Sequence, residues 1–316
     1  MGSLKILVTG GAGFIGSHLV DRLVDVGYDV RVIDNLSTGS LENIRGHLSS
    51  GLVEFFEGDV RDASVVERCM KDVEVVFHLA AVTSVPFSVE NPKVTFDVNV
   101  KGTMNLLRSC SAEKSCRFVF TSSCSVYGEP VFLPVTEEHP TNPISPYAES
   151  KLAAEKFCLG SCEKWLCDAV VLRFFNVYGP KQGLSEYGGV IRFFIDRCKR
   201  KLPLVVYGNG EQSRDFVHVS DVVEALVRSA ECEAAVGEVI NVGTGEATTV
   251  NELAEAFLEL SNLDLGISYE AARAGDIKRS YADTSKAEKL LGYHPKVCLK
   301  DGLRDLLVKS GFSGCC

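Results

Sequence analysis

The sequence predicts an α/β fold in which a doubly wound parallel sheet is joined to a smaller, partly interleaved α/β domain. Short, almost entirely apolar runs alternate with helix-like segments over the first half of the 316 residues, and the alternation weakens after about residue 175. Such runs suit strands that helices cover on both faces of a sheet. We therefore expect one domain over residues 1–175, with residues 217–243 returning to it, and a second over residues 176–216 and 244–316.

The order of the elements follows from the positions of the apolar runs. Strands are expected at 5–9, 30–33, 53–56, 75–79, 117–121 and 169–174. Helix-like segments lie at 17–26, 61–71, 93–113 and 147–165. A helix at 221–230 and a strand at 239–242 predict the late return to the sheet, and clusters of Gly, Pro and Asn predict loops at 176–190 and 203–213.

Composition and charge exclude several classes of protein. The formal net charge of −9 argues against a main ligand that is nucleic acid or a membrane surface. No apolar stretch reaches the length of a transmembrane helix, about 18 residues. The 12 cysteines include no Cys-x-x-Cys pair, so no metal site is expected. No signal peptide opens the chain, which favours a reducing cytoplasm, where most cysteines serve as small buried residues.

A glycine-rich turn directly after the first strand predicts a dinucleotide site. Gly10, Gly13 and Gly16 allow a tight turn, the approach of a pyrophosphate and close helix packing. Asp34 follows Gly16 by 18 residues, near the spacing of an acid that binds the adenosine ribose. Because a carboxylate there repels a 2′-phosphate, the pattern favours NAD over NADP. Asp59 is either an acceptor for the adenine amino group or a simple turn cap.

A helix start, an aromatic residue and a lysine share the short segment SPYAESK. Ser145 and Pro146 suit the beginning of a helix, which places Tyr147 and Lys151 on one helical face. A nearby ammonium group, the helix N-terminus and an oxidised nicotinamide would lower the pKa of the phenol from about 10, so that Tyr147 can act as a base. Ser123 offers a hydroxyl at the same sheet edge. The alternatives are a packed Tyr with a solvated Lys, and ordinary turn serines.

Seven motifs together resemble the extended short-chain dehydrogenase/reductase family, specifically its NAD-dependent epimerase/dehydratase branch. They are TGGAGFIG at 9–16, HLAA at 78–81, SSCSVYG at 122–128, SPYAESK at 145–151, RFFNVYGP at 173–180, SRDFVHV at 213–219 and AGDIKRSYADTSKA at 274–287. The similarity covers nearly the whole chain, and within the branch the chain resembles UDP-hexose 4-epimerases. The resemblance implies a Rossmann fold, NAD as cofactor and a UDP-hexose as substrate.

The resemblance also implies a set of catalytic roles. Tyr147 would remove the proton of the sugar 4′-hydroxyl while hydride passes from C4′ to NAD. Ser123 would hydrogen-bond the same oxygen, and Lys151 would hold the nicotinamide ribose and lower the pKa of Tyr147. The 4-keto sugar then turns over and takes the hydride back on its other face, so no net redox change occurs.

The implied binding residues fall into two groups. The cofactor group comprises Gly10, Gly13, Phe14, Ile15, Gly16, Asp34, Asn35, Asp59, Val60, Leu79, Ala80, Ala81, Asn99, Thr121, Tyr147, Lys151 and Phe174. The substrate group comprises Ser84, Ser123, Ser125, Tyr147, Asn176, Val190, Val205, Tyr207, Arg214, Arg273, Asp276 and Ser280. Helices near 93–113 and 147–165 resemble those that pair two subunits, so a homodimer is expected.

Departures from sister families narrow the expected reaction. Cys124 and Ser125 stand where the resembling dehydratases and decarboxylases carry acids, so epimerisation is expected rather than elimination or decarboxylation. Ser280 stands where glucose-only bacterial epimerases carry a bulky Tyr, which leaves room for an N-acetyl group. We expect UDP-GlcNAc/UDP-GalNAc interconversion, with some activity on UDP-Glc/UDP-Gal. The alternatives are a roomy pocket without selection, a UDP-glucuronate 4-epimerase or related nucleotide-sugar enzyme, and a non-catalytic NAD-sensing regulator.

Overall fold

The computed structural model describes residues 4–112, 116–163, 167–183, 189–272 and 275–312. Its strands are β1 Lys5–Thr9, β2 Asp29–Asp34, β3 Val53–Glu57, β4 Val75–His78, β5 Arg117–Ser123, β6 Asp168–Phe174, β7 Asn176–Tyr178, β8 Leu204–Tyr207, β9 Ser213–Arg214, β10 Phe216–His218, β11 Val239–Val242, β12 Thr248–Thr249, β13 Ile267–Glu270 and β14 Arg279–Ser280. Its α-helices are α1 Phe14–Val26, α2 Arg45–Ser49, α3 Ala63–Met70, α4 Val85–Glu90, α5 Pro92–Phe96, α6 Gly102–Ala112, α7 Pro146–Glu163, α8 Gly189–Lys199, α9 Val219–Glu231, α10 Val250–Ser261, α11 Ser285–Leu291 and α12 Leu299–Lys309.

Seven parallel strands form the main sheet, in the order β11-β6-β5-β4-β1-β2-β3. The strand order reverses between β1 and β4, and ligands of open α/β sheets bind at the carboxyl ends beside such a reversal. Apolar clusters cover both faces of the sheet, which explains why its strands are apolar at nearly every position. The predicted doubly wound fold is confirmed.

A third apolar cluster lies away from the main sheet. It joins α8, α10 and α12 to the short strands β8 and β10. Further small sheets pair β8 with β13, β7 with β10, and β9 with both β12 and β14. The assignment of these parts to separate cofactor and substrate domains stays a prediction.

The expected strands of the main sheet agree with the structure to within one or two residues, but the long helix expected at 93–113 is interrupted. It consists of α5, a π-helical turn at Asp97–Lys101 and α6, and residue 113 lies outside the described part of the chain. The expected loops at 176–190 and 203–213 contain β7, β8 and the start of β9. Strands of two to four residues are too short to show a hydrophobic period.

Two further observations concern the cysteines and the apolar character of the helices. Cys110 and Cys116 form a disulfide, whereas Cys69, Cys158 and Cys198 are buried free thiols, as expected for small apolar residues. In the parts of the chain that the structure describes, no helix has the length and apolar character needed to span a membrane.

Candidate active site

The glycine-rich turn joins β1 to α1 in a conformation that side chains would prevent. Gly10 has a φ of 69°, and a Cβ there would lie 2.8 Å from the backbone nitrogen of Ala80. A Cβ on Gly16 would run into the carbonyl oxygen of Gly10. Gly13 precedes α1 without a side-chain cap, so the first amides of this helix remain available to an anion. The turn therefore fits a pyrophosphate, as predicted.

Asp34 lies at the end of β2, directly beside this turn. Its carboxylate accepts hydrogen bonds from the backbone N–H groups of Ala12 (3.0 Å) and Leu36 (2.8 Å), and burial raises its pKa. A Cβ on Gly39 would come within 3.1 Å of the same carboxylate, so the chain approaches it closely. Each carboxylate oxygen keeps a second lone pair for a ribose hydroxyl.

Several side-chain hydrogen bonds hold the Asp59 carboxylate, which the sequence pattern alone did not indicate. It accepts two side-chain hydrogen bonds from Arg61 and one from Asn35, and Arg61 lowers the pKa of this carboxyl to about 2. Arg61 was not a predicted site residue, although its position two residues after Asp59 is a signal for such a pair. The predicted contact with adenine stays a prediction.

The remaining cofactor candidates surround the same sheet edge. Leu79, Ala80 and Ala81 follow β4, Val60 follows β3, Phe14 and Ile15 begin α1, and Phe174 ends β6. Asn99 lies in the π-helical turn, is 1% exposed, and exchanges hydrogen bonds with the backbone of Val82 and the hydroxyl of Ser150. Contacts of these residues with NAD stay predictions.

Lys151 is buried on α7 and points at the end of β5. The hydroxyl of Ser145 accepts from the N–H of Ala148 at the helix start, as expected. The Lys151 Nζ donates to the carbonyl of Thr121 at 2.9 Å and lies 5.1 Å from the ring centre of Phe120. Burial lowers the pKa of Lys151 to about 8. One bond to a carbonyl leaves two Nζ protons for ribose hydroxyls.

Tyr147 lies on the same helix and hydrogen-bonds with Ser123. Its backbone N–H donates to the Ser88 hydroxyl at 3.1 Å. Burial raises the pKa of the Tyr147 phenol to about 12, and the bond to Ser123 lowers it only in part. Without NAD, desolvation therefore dominates this pKa. The predicted lowering by Lys151 together with an oxidised nicotinamide stays a prediction.

Ser123 ends β5 and begins the short helical turn Cys124–Tyr127. Its hydroxyl accepts from the N–H of Ser125 at 3.2 Å. The hydroxyl oxygens of Ser122 and Ser125 are buried and have no hydrogen-bond partner among the described residues, and such groups normally find one. The Cys124 thiol hydrogen-bonds with Ser123 and feels the charge of Arg214, while burial raises its pKa to about 12. The turn thus carries polar groups suited to a hydroxylated ligand.

Two of the residues predicted to bind the substrate form an ion pair with each other. Arg214, on β9, forms an ion pair with Asp276. Ser280, on β14, is 6% exposed and pairs in register with Arg214. Asn176 begins β7, where its N–H and side-chain amide both donate to the carbonyl of Asp215.

The other substrate candidates are distributed around these strands. Tyr207 ends β8, Val205 is buried within it, Val190 is the second residue of α8 and Ser84 caps α4. Arg273 lies outside the described residues. Contacts of all these residues with a substrate stay predictions.

Two supporting residues were missed from the sequence. Ser88, which is fully buried, holds the first turn of α7 through Tyr147. Asp215, also fully buried, accepts from the N–H and hydroxyl of Thr244 and from the N–H groups of Gly245 and Ala282. It therefore joins the strand of Arg214 to the segment after Ser280. Asp215 follows Arg214 in the SRDF motif, and this position was the signal in the sequence that could have identified it.

Comparison with known proteins places this site in a family. The NAD dependent epimerase/dehydratase family matches residues 6–243. The UDP-glucose 4-epimerase of Mycolicibacterium smegmatis is 38% identical over 302 residues, which cover 95% of this chain and 96% of that protein.

Two solved structures superpose closely. The UDP-glucose 4-epimerase of Thermotoga maritima, with UDP-glucose, has a TM-score of 0.92 at 39% identity and covers 97% of this chain and 98% of its own. The UDP-N-acetylglucosamine 4-epimerase of Methanobrevibacter ruminantium, with UDP-N-acetylmuramic acid, has a TM-score of 0.92 at 38% identity and covers 98% of each chain. With its NAD-type glycine turn and its Ser, Tyr and Lys at one sheet edge, the chain belongs to the NAD-dependent epimerase/dehydratase family, as an isomerase of the UDP-sugar 4-epimerase group.

Proposed function

We propose that this protein interconverts UDP-N-acetylglucosamine and UDP-N-acetylgalactosamine, with UDP-glucose and UDP-galactose as weaker substrates. The observation that carries the preference is Ser280. Its side chain is small and almost fully buried, and it lies in register with Arg214. The charge of Arg214 acts on Cys124, which hydrogen-bonds with Ser123. We therefore take Ser280 to line the sugar pocket beside the turn Cys124–Tyr127, where its small side chain leaves volume for an acetamido group.

The chain's own residues divide the work of the reaction. Bound NAD would supply the hydride acceptor and donor for C4′ of the sugar. Tyr147 takes the proton of the 4′-hydroxyl and gives it back, and Ser123, which already hydrogen-bonds with Tyr147, holds the same oxygen. Lys151 would donate its two remaining Nζ protons to the ribose beside the nicotinamide. Arg214 binds diphosphate oxygens, since a guanidinium group matches their geometry.

The absence of an acid in the catalytic turn supports epimerisation without elimination. The turn presents Cys124 and Ser125, and burial keeps the Cys124 thiol protonated near neutral pH. Elimination removes a proton at C5′, and decarboxylation removes a carboxylate. Either reaction would require a base or an acid in this turn.

The proposal is tested by incubating the purified protein with UDP-GlcNAc, UDP-Glc and UDP-glucuronate separately and separating the products. We expect UDP-GalNAc to form fastest. A faster reaction with UDP-glucuronate would instead support the alternative, a UDP-glucuronate 4-epimerase.

The role of Ser280 is tested by Ser280→Tyr. We expect kcat/KM for UDP-GlcNAc to fall about 100-fold, because an added aromatic ring overpacks the pocket, while UDP-Glc turnover falls less than about 3-fold. Arg279→Tyr is the matched control, since Arg279 precedes Ser280 on β14 and is exposed. If Ser280→Tyr retained its activity on UDP-GlcNAc, the proposed preference would be wrong.

We also propose that the protein is a cytoplasmic homodimer. In each subunit, the first domain would bind NAD and the second would bind the UDP-sugar. The helices expected at the subunit contact, α5 and α7, carry the exposed apolar side chains of Val94 and Phe157. Burying such side chains against a second copy is favourable. Light scattering of the purified protein tests this: a monomeric mass would exclude the dimer.

A further inference from the structure

A continuous series of buried hydrogen bonds joins the glycine-rich turn to the catalytic helix through His78. We name it the His78 chain, and its members are Thr9, His78, Thr103, Asn99 and Ser150. The Thr9 hydroxyl lies 2.7 Å from the His78 Nδ1, and the His78 Nε2 lies 2.9 Å from the Thr103 hydroxyl. No member is more than 1% exposed. The chain therefore runs entirely inside the protein.

The direction of each hydrogen bond follows from the partners. The Thr103 hydroxyl donates its only proton to the carbonyl of Asn99 at 2.6 Å, so it must accept from the His78 Nε2. A neutral imidazole then accepts at Nδ1, from the Thr9 hydroxyl. The Thr9 oxygen in turn accepts from the N–H of Ala80 at 3.1 Å. This leaves His78 one tautomer, with its proton on Nε2.

The other end of the chain reaches the catalytic tyrosine. The Asn99 side-chain amide donates to the Ser150 hydroxyl at 2.9 Å, and Ser150 donates to the carbonyl of Tyr147 at 2.7 Å. Asn99 lies in the π-helical turn before α6, so the His78 chain also passes through this irregular turn.

A second branch leaves His78 from its backbone. The carbonyl of His78 accepts from the Thr121 hydroxyl at 3.0 Å, and the carbonyl of Thr121 accepts from the Lys151 Nζ. His78 thus connects β1 and α6 through its ring and β5 through its carbonyl. Burial and the charge of Lys151 lower the pKa of His78 to about 3, in agreement with a neutral ring.

We propose that His78 is a positioning residue, whose neutral ring, with Thr9 and Thr103, keeps the nucleotide-binding turn aligned with the helix that carries Tyr147 and Lys151. This inference rests on the proposed epimerase function for its effect on turnover. His78 itself touches neither substrate nor cofactor in this role. Because a buried polar group that loses its partner carries its full desolvation penalty, breaking one link shifts the others.

The experiment breaks one link with an isosteric substitution. Thr103→Val removes the hydroxyl that accepts from His78, and Thr103→Ser restores it. Thr95→Val is the matched control, because Thr95 is also fully buried on a helix and donates to the carbonyl four residues earlier. The readouts are kcat and KM for the UDP-sugar, the rate of NAD release, and the melting temperature.

We expect Thr103→Val to lower kcat about 10-fold at unchanged KM, since a small misplacement of a catalytic group has effects of this order or larger. We also expect it to release NAD several-fold faster. Thr103→Ser should regain most of the wild-type kcat, and Thr95→Val should keep wild-type kcat. If Thr103→Val kept its kcat and its NAD release rate, or if Thr95→Val lost as much, the inference would be overturned.

Two further outcomes keep the test decisive. If Thr103→Val does not fold, Ser150→Ala breaks the same chain at its far end by removing one hydroxyl, and the same criteria apply to it. If the wild-type protein converts no UDP-hexose, the proposed function fails, and the NAD release rates alone decide the positioning role.

Discussion

The two sides of the active site are built in opposite ways. On the proposed cofactor side, Lys151 is 3% exposed and Asn99 is 1% exposed, and each is held by a hydrogen bond that joins α7 to another element, β5 for Lys151 and the π-helical turn for Asn99. On the sugar side, Arg214 and Asp276 form an ion pair whose side chains are 17% and 37% exposed. They lie on a two-residue strand and in a loop. We therefore expect the burial of Lys151 on the proposed cofactor side to cost folding stability, whereas substitutions in the exposed pair on the proposed sugar side should cost little.

The largest expected effect is at Tyr147, where the two sides meet. Tyr147→Phe removes the base and should lower kcat about 1000-fold, within the range for general acid–base groups. Bound NAD should be retained, because the cofactor side is otherwise intact. Absorbance of the bound cofactor and a product assay measure both quantities. Tyr269→Phe, which changes an exposed phenol, is the control. If Tyr147→Phe kept more than a tenth of the wild-type kcat, Tyr147 would not be the base.

The next effect concerns the cost of burying Lys151. Its pKa is lowered to about 8 from 10.5, so the folded state binds fewer protons than the unfolded state between these values. Stability therefore rises with pH across this window. Lys151→Met should raise the free energy of unfolding at pH 7 by about 3 kcal/mol in protein freed of NAD.

The gap between Lys151→Met and wild type should close as the pH approaches 10.5, which urea unfolding at several pH values measures. Lys156→Met, an exposed lysine on the same helix, should change stability little at any pH. A Lys151→Met variant less stable than wild type at pH 7 would contradict the idea that the cofactor side is built at a cost.

The smallest of these effects is expected at Arg214, on the proposed sugar side. Arg214→Gln should raise KM for the UDP-sugar about 10-fold, because hydrogen bonds to charged groups are worth about 1.5–3 kcal/mol. Stability should change by less than about 1 kcal/mol, since the broken ion pair is partly exposed. Arg200→Gln breaks a surface pair with Asp196 and should change neither. A large loss of stability in Arg214→Gln would remove the contrast between the two sides.

Local patterns explain why the glycine-rich turn and the start of α7 could be predicted. Gly10 and Gly16 are required by the path of the backbone within one turn, and the Ser145–Pro146 start sets the phase of Tyr147 and Lys151 on one helix. These constraints act over a few residues, so they are visible in the order of the amino acids. The parallel strands are visible for the same reason, because each is a single apolar run.

By itself the sequence predicted the doubly wound sheet, the glycine-rich turn after its first strand and the placement of Tyr147 and Lys151 on one helix, because each depends on neighbours along the chain. Only the tertiary structure decided the pairing of Arg214 with Asp276, the register of Ser280 beside Arg214 and the course of the His78 chain. It also decided the raised pKa of Tyr147. These features depend on which distant segments meet and on how far water is excluded from them, and neither follows from local order.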